Sequence, residues 1–121
     1  MLNEARQAML LQRVKHGAGA MSARQALEIA TRGGARVLGR DDIGHLAPGM
    51  SADMALFKLG GIEMTGADWD PLAALLFCGP IKASCVVING RVVVEAHRLT
   101  TIDLPMAIER HRALSRGLLT N

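Results

Sequence analysis

The chain has 121 residues, of which 14 are basic and 11 acidic, so its formal net charge at pH 7 is +3. This length suits one domain and falls far short of the roughly 250 residues of a complete (β/α)₈ barrel. The basic residues are scattered, with no run of them and no aromatic platform beside them, and no apolar stretch approaches the about 20 residues of a membrane span. The start of the chain, with Asn3 and Glu4, lacks the pattern of a signal peptide. We therefore expect a cytoplasmic protein that binds neither nucleic acid nor membranes.

The first 40 residues are predicted to be helical. An amphipathic helix is expected over residues 2–16, because apolar side chains recur there every three or four positions. These apolar positions are Leu2, Ala5, Met9, Leu10 and Val14. Ser22 is the expected N-cap of a second helix, since Gln25 three residues later completes a capping box. Gly33-Gly34 is predicted to end that helix, with a further short helical turn around Val37.

Turn signals and short apolar runs follow. Pro48-Gly49 has Pro at the second and Gly at the third position of a type II turn, and a strand is expected over residues 54–59. Residues 60–71 are predicted to be irregular, and residues 72–77 to form one helical turn.

A β-hairpin is the clearest element. Val86, Val87 and Ile88 run into Asn89-Gly90, and three more valines follow, so a two-residue type I′ turn is predicted within a hairpin over residues 84–95. Asp103 is the expected N-cap of a closing helix that reaches about Leu118. The predicted order is two helices, three strands and a helix, an α+β arrangement. Three apolar strands cover each other poorly, so the sheet is expected to pack against more protein.

Two segments together carry a family resemblance. Residues 46–57 read Leu-Ala-Pro-Gly-Met-Ser-Ala-Asp-Met-Ala-Leu-Phe, and a Val-x-Asn-Gly hairpin and a final helix come after them. This order resembles the C-terminal end of the amidohydrolase superfamily. Residues 70–80, Asp-Pro-Leu-Ala-Ala-Leu-Leu-Phe-Cys-Gly-Pro, are most similar to the cytosine, guanine and triazine deaminase branch, including 8-oxoguanine deaminases and hydroxytriazine aminohydrolases.

The resemblance implies a division of the chain into three parts. Residues 1–40 would be the last helix of a (β/α)₈ barrel and the helix that follows the eighth strand. Residues 41–102 would form a partial β-sandwich, part of the composite domain of metal-dependent hydrolases, and residues 103–121 the C-terminal helix. Two positions depart from the family pattern: Met50 stands where Lys is usual, and Ala96-His97 where an Asp-Gly turn is usual, so that turn is expected to differ locally.

The resemblance also implies a chemistry. Members of the family use one Zn or Fe ion, held by an HxH motif, two further histidines and an aspartate, and the metal activates a water that attacks the ring carbon bearing the leaving amine. None of these ligands maps onto this sequence, and all of them would precede Met1. The expectation is the C-terminal portion of a hydrolase of non-peptide C–N bonds, without catalytic, metal or cofactor-binding residues of its own and inactive alone.

The four histidines are candidates for a metal site or for catalysis. His16, His45, His97 and His111 show no metal-ligand spacing and are expected to be non-catalytic, with the roles of His45 and His97 left open.

Two other side chains, Asp53 and Cys78, are weighed as catalytic candidates. Asp53, a lone acid beside an apolar strand, is expected to accept N–H groups of the Pro48-Gly49 turn. Cys78 and Cys85 are expected to be free, buried thiols.

An alternative function of another class is an independent binding or assembly module. A ligand pocket lined by His45, His97 or Trp69 would distinguish this alternative. The uncovered sheet also predicts a homo-oligomer, most simply a twofold dimer that exchanges strands or helices between its chains.

Overall fold

A computed structural model describes residues 1–79 and 81–119. Helices and a small antiparallel sheet are both present, and the chain forms them in the following order. They are α1 (Leu2–His16), α2 (Ala23–Glu28), a π-helical turn (Ile29–Gly33), α3 (Gly34–Val37), β1 (Met54–Leu56), a 3₁₀ turn (Ile62–Met64), α4 (Pro71–Phe77), β2 (Cys85–Ile88), β3 (Arg91–Glu95), β4 (Arg98–Leu99) and α5 (Leu104–Leu119).

The core lies where α1, α2 and α4 meet. Its buried side chains are Ala5, Met9, Ala23, Ala26 and Leu76. Arg13 joins α1 to the segment before α2 and to α4, because its Nε donates to the carbonyl oxygen of Met21 at 2.8 Å and its guanidinium lies 5.3 Å from the ring centre of Phe77. The prediction of α1 is confirmed, but Val14 does not share its packed face and is 86% exposed.

The capping box of α2 is confirmed. The Ser22 hydroxyl accepts from the backbone N–H of Gln25 at 3.2 Å, and the Gln25 side chain accepts from the backbone N–H of Ser22 at 2.8 Å. The prediction that Gly33-Gly34 ends this helix is wrong. Both glycines keep helical dihedrals and the chain passes through the π-helical turn into α3. Gly39, at φ 65°, supplies the positive φ that a helix end needs.

The sheet has four strands in the order β1-β2-β3-β4, each antiparallel to its neighbour, one strand more than the sequence predicts. The first strand is also shorter than expected, ending at Leu56. The Asn89-Gly90 hairpin is confirmed, with φ of 49° and 73° at its two turn residues. An irregularity between Val86 and Val87 shifts the register, so that Val86 pairs with Val94 while Val87 pairs with Val92.

A second tight turn joins β3 to β4. Ala96 and His97 form it with φ of 47° and 65°, so both residues hold the left-handed conformation although neither is glycine. Two side chains are therefore held in a conformation that is strained for residues other than glycine.

Two other local predictions hold with small shifts, whereas the segment predicted to be irregular over residues 60–71 contains the 3₁₀ turn Ile62–Met64. At the Pro48-Gly49 turn, the N–H of Met50 donates to the Ala47 carbonyl at 3.1 Å, and Gly49 has φ 84°. The helix expected over residues 72–77 begins one residue earlier, at Pro71, because the Asp70 side chain accepts from the Ala73 N–H at 3.0 Å.

Helix α5 stands apart from the core. The Asp103 side chain caps it by accepting from the Met106 N–H at 3.1 Å. All its side chains from Leu104 to Leu118 are exposed, including apolar ones such as Leu114. Within the described part of the chain, no helix has the length and apolar character needed to cross a membrane.

Candidate functional site

The four histidines lie in four separate places. His16 ends α1, His45 lies in the loop before β1, His97 in the β3–β4 turn and His111 in α5, and all are exposed. Among residues 1–79 and 81–119, no three His, Cys, Asp or Glu side chains are grouped so that they could hold a metal ion. The donors in the described chain therefore do not fit the mononuclear metal that the family resemblance implies, and no catalytic step through a metal is assigned to them.

Asp53 links the start of the sheet to the tip of the first hairpin. Its Oδ1 accepts from the backbone N–H of Asn89 at 2.6 Å. The expected role as a hydrogen-bond acceptor for a turn is correct, but the turn is Asn89-Gly90 and not Pro48-Gly49. The spacing of 36 residues between the two groups explains why the local sequence pointed to the nearer turn.

A charged cluster that the sequence did not predict fixes the loop before β1. The Arg40 Nε donates to Asp42 Oδ1 at 2.8 Å, and the Ser51 hydroxyl donates to Asp42 Oδ2 at 2.8 Å. These hydrogen bonds, that from Arg40 first, hold the pKa of Asp42 far below its usual range. The backbone N–H of Ser51 also donates to the Asp42 carbonyl at 2.8 Å, which closes the loop. The ion pair is solvent-exposed and its hydrogen bonds join the two ends of the loop, so the cluster has a structural role.

The two cysteines are free, as predicted, but neither is buried. Cys78 and Cys85 are both half-buried. Cys78 is the residue at which α4 ends, and Cys85 is the first residue of β2, so both lie at the margins of packed elements. No structural reason marks either thiol as a nucleophile.

An open groove lies beside the β3–β4 turn. It has a volume of about 830 Å³, and its polar lining comes from Lys58, Gly60, Gly61, Glu63, Lys82 and His97. The His97 ring is held at the rim, because its Nδ1 lies 3.1 Å from the carbonyl oxygen of Ala83. Of the three side chains expected to line a pocket, His97 lines this groove. Trp69 is 83% exposed and donates its Nε1–H to the Gly66 carbonyl at 2.9 Å, and His45 lies in the loop before β1, so neither belongs to the lining of this groove.

The comparison with known sequence families decides the kinship. The sequence model of the amidohydrolase family matches residues 1–93. The chain belongs to the amidohydrolase family. The 8-oxoguanine deaminase of Pseudomonas aeruginosa is 47% identical over 119 residues, which are 98% of this amidohydrolase chain and 26% of that enzyme.

Solved structures agree with this kinship. The zinc complex of an atrazine chlorohydrolase from Arthrobacter aurescens superposes with a TM-score of 0.87 at 38% identity, over 94% of this chain and 26% of that one. An adenosine deaminase from Xanthomonas campestris with bound zinc gives a TM-score of 0.91 at 28% identity, over the whole of this chain and 28% of that one. The amidohydrolase chain thus spans about a quarter of the length of the relatives it matches.

Proposed function

We propose that this chain is the C-terminal portion of a cytoplasmic, metal-dependent amidohydrolase that removes an amino group from a purine, pyrimidine or triazine ring. The observation that carries the proposal is the 47% identity to an 8-oxoguanine deaminase over nearly the whole chain. A 5-methylthioadenosine/S-adenosylhomocysteine deaminase from Desulforudis audaxviator, 33% identical over 121 residues, supports the same reaction class. In this proposal residues 1–40 belong to the end of the barrel, residues 41–102 to the β-sandwich and residues 103–121 to the final helix.

The role proposed for the chain is to support a catalytic centre whose metal ligands lie elsewhere. The helices around Met9 supply a packed surface, and the Asp53–Asn89 hydrogen bond fixes the sheet against the loop that precedes it. Among the described residues no three His, Cys, Asp or Glu side chains are grouped so that they could hold a metal ion, and the chain by itself is proposed to be inactive.

A chimera tests this role directly. The matched segment of the Pseudomonas aeruginosa enzyme is replaced by this chain, and deamination of 8-oxoguanine is measured together with metal content. We expect a folded, metal-loaded chimera with turnover. The variant Met9→Asp, which buries a charge in the core, should abolish folding and turnover, while the matched Val14→Asp on the exposed side of α1 should not. A folded chimera that holds its metal but shows no turnover contradicts the proposal.

The alternative, an assembly module, is favoured by one observation. Helix α5 exposes Met106, Leu114 and Leu118 at 66%, 63% and 81%, although an isolated helix of 16 residues is only marginally stable in water. In this second proposal the chain forms a homo-oligomer that covers these side chains, most simply a twofold dimer with exchanged strands or helices. Light scattering at micromolar concentration tests it. A monodisperse species of 12.9 kDa, the mass of one chain, would exclude the oligomer.

A further inference from the structure

We propose that Asn89 is a site of spontaneous covalent modification, at which the side-chain amide is lost at a rate that Asp53 controls. This proposal is independent of the proposed deaminase role, since the reaction takes place within the chain itself and water is its co-reactant. Three features carry the assignment. They are the exposed Asn89-Gly90 turn, the free backbone N–H of Gly90 and the hydrogen bond between the turn and Asp53.

The reaction at this site is an attack of a backbone nitrogen on the preceding side chain. The Gly90 nitrogen forms a bond to Asn89 Cγ, the bond between Cγ and the side-chain nitrogen breaks, and that nitrogen leaves as ammonia with the proton from Gly90. The product is a five-membered succinimide ring. Water then opens the ring at one of its two carbonyl carbons. One opening gives an aspartyl residue, and the other gives an isoaspartyl residue, whose main chain runs through the former side chain.

The turn leaves the attacking nitrogen accessible. Asn89 and Gly90 are both exposed at the tip of the hairpin formed by β2 and β3. The backbone N–H of Gly90 donates to no other residue of the described chain, and a side chain built at Gly90 would meet no atom within 4 Å beyond its chain neighbours. Asn3 provides the contrast, because it lies in α1 and is followed by Glu4, whose side chain hinders attack by its nitrogen.

Asp53 restrains the reaction in the folded chain. Its Oδ1 accepts from the backbone N–H of Asn89 at 2.6 Å, and Asn89 is held in the turn at φ 49°. Ring closure requires the peptide unit between Asn89 and Gly90 to rotate out of this turn. The negative charge of Asp53 beside the turn also opposes loss of the Gly90 proton. A hydrogen bond of ordinary net strength shifts such an opening equilibrium by about fivefold, so its removal should speed the reaction by that factor.

The modification should loosen the hairpin. An aspartyl residue at position 89 places a second carboxylate beside that of Asp53, and like charges repel. An isoaspartyl residue adds one carbon to the main chain of a two-residue turn, whose flanking residues Ile88 and Arg91 are paired across the hairpin. Either product therefore weakens the pairing of β2 with β3, and hydrogen exchange of the hairpin amides should rise.

Peptide mapping by mass spectrometry tests the site during incubation of the purified chain near neutral pH. We expect Asn89 to convert to a mixture of aspartyl and isoaspartyl forms with release of ammonia, while Asn3 stays unmodified over the same period. The two asparagines are measured in the same sample, so Asn3 is an internal control. Conversion of Asn3 at the same rate as Asn89, or the absence of an isoaspartyl product at position 89, overturns the assignment.

A pair of variants separates control by Asp53 from unfolding of the whole chain. Asp53→Ala and Ser22→Ala each remove one hydrogen bond and should destabilise the chain by similar amounts, but Ser22 lies at the start of α2 and not at the turn. Asp53→Ala should speed the conversion of Asn89 about fivefold, whereas Ser22→Ala should leave its rate unchanged. Equal acceleration in both variants, or none in Asp53→Ala, would show that Asp53 does not control the reaction.

Discussion

Truncation of Met9 gives the sharpest test of the helical core. Met9 is 0% exposed, and of the four other buried residues in its cluster three are alanines, namely Ala5, Ala23 and Ala26. The change Met9→Ala removes three heavy side-chain atoms, and such truncations cost about 2–5 kcal/mol, depending on how far the surroundings collapse. An alanine side chain has no rotatable heavy atoms, so the neighbouring alanines cannot move into the cavity that the truncation of Met9 leaves. We therefore expect a loss in the upper part of that range, about 3–4 kcal/mol.

The assay for Met9→Ala is urea unfolding followed by circular dichroism at 222 nm. Val14→Ala on the same helix is the matched control, because Val14 is 86% exposed and its removal should change the free energy of unfolding by no more than about 0.5 kcal/mol. If the free energies of unfolding of the two variants fall by amounts that differ by less than 1 kcal/mol, Met9 is not packed between α1, α2 and α4 as described.

Three further predictions concern polar contacts. Ser22→Ala should destabilise the chain by about 1 kcal/mol, measured by urea unfolding, and Ser22→Asp should retain most of the stability because Asp also caps helices. Asp53→Ala should cost about 1 kcal/mol and speed hydrogen exchange of the Asn89 amide, while unchanged exchange would exclude this hydrogen bond. Because the pKa of Asp42 is lower in the folded chain than in the unfolded chain, the Asp42 carboxylate is protonated at a higher pH when the chain is unfolded. Asp42 therefore adds stability above about pH 4 that is lost progressively below it, and Asp42→Asn should flatten this dependence in urea midpoints measured from pH 7 to pH 2.5.

The sequence predicted the elements whose signals are local. The Ser22–Gln25 capping box, the Asn89-Gly90 turn and the Asp103 cap each depend on residues at most three positions apart, and all three are confirmed. In each case a side chain or a φ preference acts on a backbone group within one turn, so no knowledge of the rest of the fold was needed.

The features that the sequence did not predict depend on contacts between residues distant in sequence, or on residues such as glycine that fit more than one conformation. Glycine ends a helix when it takes a positive φ, and Gly33-Gly34 did not need to, because Gly39 does so one and a half turns later. Strand β4 is only Arg98–Leu99, which is too short for a periodic pattern. The Asp42–Ser51 contact joins residues nine apart in an irregular loop, where no periodicity predicts which side chains meet.

The candidate site was less predictable than the fold. The family kinship followed from the order of turn, strand and hairpin, and is confirmed by the match over residues 1–93. The groove at His97 could not be derived, because it is assembled from Lys58, Lys82 and His97 in three separate segments. The sequence likewise predicted the closing helix from its Asp103 cap but not what α5 packs against.

The most direct test of the central claim is the metal content and turnover of the purified 121-residue chain. Zinc and iron are measured by mass spectrometry after folding in the presence of each metal, and deamination is assayed on purines and aminotriazines. Because the described residues offer no grouped metal donors, the proposed function predicts metal well below one ion per chain and no turnover. One bound Zn or Fe per chain together with deamination would contradict it.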